Sequence, residues 1–299
     1  ASLSSRSGSR TLFVEWRLQL NPNTDSLSLG YSPCPNDTFI FYALVHGCLK
    51  GAPAVREVLE DIETLNGMAF NGQLDATKIS FHALAHLRDT YCLLHAGGAL
   101  GRGCGPLVVA REDIAPDALR DKRIAIPGKM TTAALLLQLF DSEIDQLVVM
   151  PFHEIMSAVD SGRVDAGLII HESRFTYPQH GLHSVIDLGA WWEESTGHPI
   201  PLGGILARRS LGRARIEVID AALRASVDYA YAHPDTVRDY IRVHAQEMDE
   251  AVMQSHIDLY VNQYTLDYGR DGEAAIFDLM GRAEKAGLVA PSTQSLFVT

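Results

Sequence analysis

The sequence lacks any long apolar run and is short of basic residues. No stretch of its 299 residues approaches the roughly 18 consecutive apolar residues that a membrane-crossing helix requires. Lys and Arg number 25 against 37 Asp and Glu, so the formal net charge is −12, and no Lys/Arg-rich segment is present. We therefore expect neither a membrane nor a nucleic-acid partner. An anionic small molecule is still compatible, because a cleft can be locally positive on an acidic surface.

Cysteine is also scarce, and its spacing excludes the common metal and redox motifs. Cys34, Cys48, Cys92 and Cys104 form no C-x-x-C pair, so we interpret them as isolated thiols. Scattered thiols are typical of a reducing compartment, and we expect a cytoplasmic protein. Residues 1–26 contain no clean apolar segment of a secretory signal, so we interpret them as an N-terminal extension. A signal that had already been removed would leave no trace in this sequence.

One strand–loop–helix plan occurs twice. LSLGY at 27–31 precedes a turn and an apolar helix, and KRIAIPG at 122–128 does the same. A Gly-x-x-Asp-Ala segment, which is typical of a helix end followed by a strand, also recurs at 72–76 and at 162–166. The spacing of ninety residues is far too long for a solenoid repeat. We therefore predict two duplicated lobes.

Helices that alternate with short apolar strands predict an α/β fold, in which each lobe is a mainly parallel sheet flanked by helices. We predict that lobe one is discontinuous, with residues 27–112 and 205–299, and that lobe two contains residues 113–204. Two crossovers, near 110–114 and 200–206, would then form a hinge, with the ligand cleft between the lobes.

Ligands of such sheets bind beyond the carboxyl ends of the strands. This rule brings four segments to one crevice, namely Ser32–Asp37, Lys78–Ser80, Gly128–Thr132 and His171–Ser173. Asn36 or Asp37 is expected to cap the first helix. The side chains that we expect to line the crevice here are Ser32, Asn36, Asp37 and Ser173.

His171 is the first candidate for chemistry. It follows the apolar run A-G-L-I-I at the carboxyl end of a predicted strand. An imidazole at that place can accept a proton near neutral pH without a metal. A structural histidine, hydrogen-bonded at a strand end, explains the position equally well.

Residues of two other segments could receive an anionic group. Thr131 or Thr132 is expected to cap a helix whose first N–H groups form a ready anion site. A simple N-cap beside a spare threonine is the alternative. Ser80 could donate to a hydroxyl and Lys78 could attract an anion, although a solvated lysine is a slightly better interpretation.

The remaining motifs are weak. The glycines of residues 97–106 precede a predicted strand and not a helix, so they form no dinucleotide fingerprint. We interpret this segment as a turn that lines the crevice, with Arg102 as a carboxylate partner. His153–Glu154 lacks the second histidine of a zinc motif, so we predict no metal site. Trp191 and Trp192 could cover an aromatic ligand, but a packed loop is commoner.

Five long motifs occur between residue 27 and the C-terminus. They are SPCPNDTFIFYALVHG (32–47), GGALGRGCGPLVVAR (97–111), AGLIIHESRFTYPQHGL (166–182), DLGAWWEE (187–194) and PLGGILARR (201–209). Motifs of this length are highly specific, and they resemble the 1,4-dihydroxy-6-naphthoate synthase family of the futalosine route to menaquinone. The resemblance implies a two-lobed fold like that of type II periplasmic binding proteins.

The resemblance also implies an activity and its residues. Cyclic dehypoxanthine futalosine, a small-molecule carboxylate, would be cleaved to 1,4-dihydroxy-6-naphthoate and dihydroxyacetone. The histidine of I-I-H-E-S, which is His171, would be the catalytic base. The substrate-binding residues would fall on the K-x-S and T-T-A elements, which are Lys78, Ile79, Ser80, Thr131, Thr132 and Ala133. The chemistry demands no metal or redox cofactor.

Two other functions are left open. One is a solute-binding protein of the same fold, and the absence of a signal segment and the histidine at the crevice argue against it. The other is a chorismate dehydratase of the same pathway, although the motifs I-I-H-E-S-R-F-T-Y and S-P-C-P-N-D-T-F favour the synthase. We expect a monomer or a homodimer.

Overall fold

The computed structural model describes residues 26–245 and 249–298, so nearly all of the extension predicted at 1–26 lies outside the described residues. The strands are β1 (Leu27–Tyr31), β2 (Val55–Leu59), β3 (Ala76–Ser80), β4 (Tyr91–Leu93), β5 (Ala99–Gly101), β6 (Leu107–Ala110), β7 (Ile124–Ile126), β8 (Leu147–Val149), β9 (Ala166–Ile169), β10 (His183–Asp187) and β11 (Ile200–Arg208). The helices are α1 (Pro35–Val45), α2 (Ile62–Phe70), α3 (Phe81–Leu87), α4 (Thr132–Phe140), α5 (Phe152–Asp160), α6 (Ser173–Thr176), α7 (Leu188–Thr196), α8 (Arg213–Ala232), α9 (Pro234–His244), α10 (Glu250–Tyr260), α11 (Gln263–Leu266) and α12 (Gly269–Lys285). Short 3-10 helices lie at Pro116–Asp121, Tyr177–His180 and Arg209–Leu211.

The strands form two sheets with the same internal order. The first sheet runs β2-β1-β3-β11-β4, and β5 also pairs with β11. The second runs β8-β7-β9-β6-β10. In each sheet the first three strands are parallel, and the fourth, β11 or β6, is antiparallel to its neighbours. The two-lobed α/β prediction is confirmed, and each sheet is mixed but mainly parallel, because a single strand of opposite direction enters it.

The duplicated segments match in their hydrogen bonds. The backbone N–H of Asp75 donates to the carbonyl of Ser28, and the N–H of Ser28 donates back to the Asp75 carboxylate at 2.9 Å. Asp165 and Arg123 make the same two bonds in lobe two, and the carboxylate bond is again 2.9 Å. The recurring Asp therefore ties the start of its own strand to the start of the neighbouring parallel strand.

Sheet membership differs from the lobe boundaries that we drew at residues 112 and 204. Leu107–Ala110 pairs with β9 and β10 in the second sheet, and β11 already belongs to the first sheet at Ile200. The chain thus crosses to lobe two between Gly101 and Leu107. Apolar patterning identifies a strand but not its partner, which is why the boundaries were misplaced.

The C-terminal helices complete lobe one. Helix α1 packs against α8, α9 and α10, and its apolar side chains join β1 and α8 in one core. Helix α12 contributes Ile276 and Leu279 to a second core that reaches across to α4 of lobe two. Within residues 26–245 and 249–298, no helix is long and apolar enough to cross a membrane.

Candidate active site

A cleft of about 650 Å³ lies between the two lobes. It is lined by Ser32, Asn36, Asp37, Ile62, Lys78, Ser80, Ala99, Cys104, Pro106, Thr131, Thr132, Ala133, Ile170, His171, Leu202, Gly203, His256 and Tyr260. All four segments that we expected to meet at the carboxyl ends of the strands approach it, and three of them border it with most of their candidate residues.

Three of the predicted residues do not line the cleft. Ile79 is buried on β3 with its side chain in the core, because alternate residues of a strand face opposite sides. Arg102 is half exposed and donates to the carbonyl of Gly197 at 2.9 Å, beside Glu193, so it is no partner for a ligand carboxylate. Ser173 is buried at the start of α6.

The tryptophan pair is part of the packing. Trp192 is fully buried and its indole N–H donates to the carbonyl of Pro199 at 3.1 Å. Trp191 packs edge-on against Phe140. Neither ring lines the cleft.

His171 lies at the wall of the cleft, two residues after β9. Its φ of 56° is the single positive value among the non-glycine residues that the structure describes. This conformation is unfavourable for a residue with a Cβ atom, and such strain clusters at functional sites. The ring meets Phe152 edge-on with centroids 5.1 Å apart. Its Nδ1 atom lies 3.8 Å from Sγ of Cys34.

The surroundings of His171 favour its neutral form. Burial lowers the pKa of the imidazole below its usual value, and Glu172 and Asp37 oppose this effect in part. A neutral ring can accept a proton, whereas an imidazolium cannot. The ring therefore meets the electrostatic requirement of a general base near neutral pH.

Asp37 organises the opposite wall of the cleft. Its Oδ1 atom accepts from Lys78 Nζ at 2.8 Å and from the Asn36 amide at 2.9 Å, and its Oδ2 atom accepts from the Ser32 hydroxyl at 2.7 Å. Asp37 and Lys78 are both almost fully buried. Lys78 is thus neither solvated nor a free cation, because its charge is balanced inside the protein.

The cap expected at Asn36 or Asp37 is wrong. Helix α1 begins at Pro35, and its N-cap residue is Cys34, which makes no side-chain capping bond. Proline is preorganised for the first helical position and needs no acceptor for an N–H. The side chains of Asn36 and Asp37 are therefore available to the cleft network.

Ser80 is positioned by Asn66. The Asn66 amide donates to the Ser80 hydroxyl oxygen at 3.2 Å, and its carbonyl accepts from the Ser80 N–H at 3.0 Å. Because the hydroxyl oxygen is the acceptor in this pair, its hydrogen can point to a ligand. Asn66 also lies 3.4 Å from the carbonyl of Met130, so it joins the two lobes.

The start of α4 presents backbone donors and not threonine hydroxyls. Thr131 caps the helix, as predicted, by accepting from the Ala134 N–H at 3.2 Å, and it donates to the Gly128 carbonyl. The Thr132 hydroxyl accepts from the Phe81 N–H at 2.9 Å and donates to the Leu202 carbonyl. The N–H groups of Thr132 and Ala133 have no acceptor within the helix, so they can bind an anion.

Among the cleft residues that the sequence did not suggest, His256 and Tyr260 carry polar side-chain groups. Both lie on α10, more than 80 residues from the nearest residue that we expected at the crevice, Ser173, and no local pattern indicates them. His256 bonds to Asn36 through Nε2 at 3.0 Å. The described residues contain no group of three or more His, Cys, Asp or Glu that could hold a metal.

The chain is similar to proteins of menaquinone biosynthesis. A family model described as menaquinone biosynthesis matches residues 27–285. A 1,4-dihydroxy-6-naphthoate synthase of Thermus thermophilus is 54% identical over 274 residues, which cover 92% of this chain and 100% of that protein. A synthase of the same name from Streptomyces coelicolor is 52% identical over 272 residues, with 89% and 96% covered.

Solved structures agree with the fold. Protein AF1704 from Archaeoglobus fulgidus matches with a TM-score of 0.84 at 40% identity, over 88% of this chain and 98% of that chain. The Candida albicans CA3427 product, described as having the generic periplasmic binding protein fold, matches with a TM-score of 0.66 at 15% identity, over 90% and 92%. The periplasmic-binding-protein-like fold is confirmed.

Proposed function

The chain belongs to the menaquinone biosynthesis family, and on this basis we propose that it is a 1,4-dihydroxy-6-naphthoate synthase. In this proposal it cleaves cyclic dehypoxanthine futalosine to 1,4-dihydroxy-6-naphthoate and dihydroxyacetone. His171 is the general base that removes a carbon-bound proton activated by a neighbouring carbonyl.

The observation that carries the mechanism is the place and state of His171. It is a strained, half-buried imidazole at the cleft wall, with a pKa that is lowered by burial. A positioned base of this kind contributes about 10²–10⁴-fold to a proton abstraction. Among the described residues no carboxylate forms an ion pair with the ring, so its basicity depends on burial and on the nearby charges of Glu172 and Asp37.

The substrate carboxylate binds at the start of α4. The free N–H groups of Thr132 and Ala133 and the positive end of the helix dipole favour an anion there. Ser80 can add a hydroxyl donor. Lys78 contributes less than a free cation would, because Asp37 balances its charge at 2.8 Å.

The test is to incubate the purified protein with cyclic dehypoxanthine futalosine and to detect the naphthoate by absorbance and mass spectrometry. A His171→Asn variant should bind the substrate with near-normal affinity but lose about 10²–10⁴-fold in kcat. Near-normal turnover by this variant would refute the base assignment.

Calorimetry with cyclic dehypoxanthine futalosine and an incubation with chorismate, added to this assay, separate the two rival functions. A protein that binds the compound in calorimetry without releasing naphthoate would be a solute-binding protein of this fold. A protein that dehydrates chorismate and leaves the futalosine derivative intact would be the dehydratase. Either result would refute the synthase.

A further inference from the structure

His256 is a second histidine of the cleft, brought there by α10 of lobe one. It lines the cleft and is only 1% exposed. Its ring is nearly parallel to that of His171, with an interplanar angle of 11° and centroids 6.1 Å apart. A polar ring at this depth requires partners for both of its nitrogens.

The hydrogen bonds of Asn36 define which nitrogen of His256 carries the proton. The Asn36 amide nitrogen donates to Asp37 Oδ1 at 2.9 Å, so the Asn36 oxygen faces His256. That oxygen can only accept, and His256 Nε2 must therefore donate. Burial lowers the pKa of His256 well below its usual value, so the ring is neutral and its Nδ1 atom bears a lone pair.

That lone pair has no partner among the described residues. The Nδ1 atom is buried and makes no hydrogen bond. It faces Oε2 of Glu172 at 3.8 Å, and this oxygen is likewise buried without a donor. Two hydrogen-bond acceptors thus meet across the lobe boundary, since His256 belongs to lobe one and Glu172 follows β9 of lobe two.

We propose that His256 Nδ1 and Glu172 Oε2 form an acceptor pair that binds a hydroxyl group of the substrate. The inference rests on the proposed function. A hydroxyl that lies beside the two atoms, with its hydrogen toward both, donates to this pair and offsets the unfavourable contact. Because the two atoms belong to different lobes, the bound hydroxyl also joins the lobes.

The chemistry of the pair decides which end of the substrate it binds. A carboxylate brings only acceptor oxygens, which a second pair of acceptors repels. The sugar-derived part, which leaves as dihydroxyacetone, brings hydroxyl donors and no charge. The pair therefore recognises the sugar-derived end, and the start of α4 recognises the carboxylate end.

Two substitutions of His256 test the contributions of its two ring nitrogens separately. In His256→Gln the amide nitrogen can still donate to Asn36, but the acceptor at the Nδ1 position is lost. In His256→Asn an amide oxygen occupies the Nδ1 position, but the bond to Asn36 is lost. His180→Gln is the matched control, because His180 is an exposed residue outside the cleft.

We expect His256→Gln to lower kcat/KM for cyclic dehypoxanthine futalosine by about 10- to 100-fold, and His256→Asn to lose less. Calorimetry with the naphthoate product, which lacks the sugar-derived part, should give a Kd within about twofold of wild type for both variants. This second measurement also shows that the variants are folded.

Three results would overturn the inference. They are an unchanged kcat/KM in His256→Gln, a larger loss in His256→Asn than in His256→Gln, and an equal loss of affinity for substrate and naphthoate, which would indicate a merely structural role. Wild-type protein that does not convert the substrate at all would instead refute the proposed function.

Discussion

The Nδ1 atom of His171 lies 3.8 Å from the Sγ atom of Cys34, the residue that precedes α1. Burial raises the pKa of this thiol well above its usual value, and the nearby charge of Glu172 acts in the same direction. The thiol is therefore protonated near neutral pH, and a thiol is a weak hydrogen-bonding group. Cys34 orients the imidazole loosely and is not an activated nucleophile.

The protonated state of the Cys34 thiol predicts that thiol reagents do not inactivate the enzyme. Iodoacetamide at neutral pH should alkylate Cys48, which is exposed, and leave Cys34 unmodified, with naphthoate formation retained. Peptide mass spectrometry and the activity assay check this, and a Cys48→Ser variant should no longer be labelled. Inactivation that persists in Cys48→Ser and that coincides with labelling of Cys34 would show a reactive thiol beside His171.

The pH dependence of kcat/KM should follow the fraction of His171 that is neutral. The base must be unprotonated, and burial lowers the pKa of His171 below its usual value of about 6.5. We therefore expect the protonation of His171 to leave kcat/KM unchanged from about pH 7 upward. Below an apparent pKa under 6.5, kcat/KM should fall tenfold per pH unit. A fall of kcat/KM at low pH with an apparent pKa above 7 would mean that the charges of Glu172 and Asp37 raise the pKa of His171 by more than burial lowers it.

Several parts of the site follow from local sequence patterns. The Gly-x-x-Asp-Ala repeat predicted two related lobes because the same short pattern recurs, and Asp75 and Asp165 make matching bonds to the neighbouring strand in each lobe. Thr131 was predicted as an N-cap because a cap needs only the three residues after it. The position of His171 followed from the strand that precedes it.

Other parts depend on tertiary packing, which no local pattern encodes. His256 meets Asn36 across 220 positions of the sequence. Arg102 was expected in the cleft, but it lies where the long side chain can reach the Gly197 carbonyl and Glu193 at the surface. The lobe to which Leu107–Ala110 belongs is likewise decided by its partner strands.

The buried ion pair predicts a large and specific loss of stability. Asp37→Asn leaves the Lys78 ammonium buried without its counter-charge, at about 5% exposure. Removing one partner of such a pair costs about 3–5 kcal/mol in the free energy of unfolding. The double variant Asp37→Asn/Lys78→Met should regain a large part of this loss, because the unpaired charge is gone.

Urea unfolding of the wild type, of Asp37→Asn, of Lys78→Met and of the double variant forms a double-mutant cycle. It measures the coupling free energy between the two side chains. Glu217→Gln is the control, because the Arg213–Glu217 pair is exposed and its loss should change the free energy of unfolding by less than about 1 kcal/mol. If the double variant is as unstable as Asp37→Asn, then Lys78 is not the source of the destabilisation.

The close approach of the lobes at Gly128 predicts a catalytic defect far from the base. A Cβ atom at Gly128 would lie 2.3 Å from the carboxyl carbon of Glu63, whose Oε1 atom accepts from the Met130 N–H. Gly128→Ala should therefore turn the Glu63 side chain aside and remove the acceptor of the Met130 N–H, in the loop that precedes α4, where the substrate carboxylate is expected. We expect KM to rise by about tenfold, since misplaced donors lose binding energy of about 1–2 kcal/mol. Glu63→Ala should raise KM by a similar factor, because it removes the same acceptor, whereas Gly67→Ala, on the same helix with open space around it, should have a normal KM. Kinetics of the three variants decide the matter, because a normal KM in Gly128→Ala would mean that the lobes need not approach this closely to bind the carboxylate.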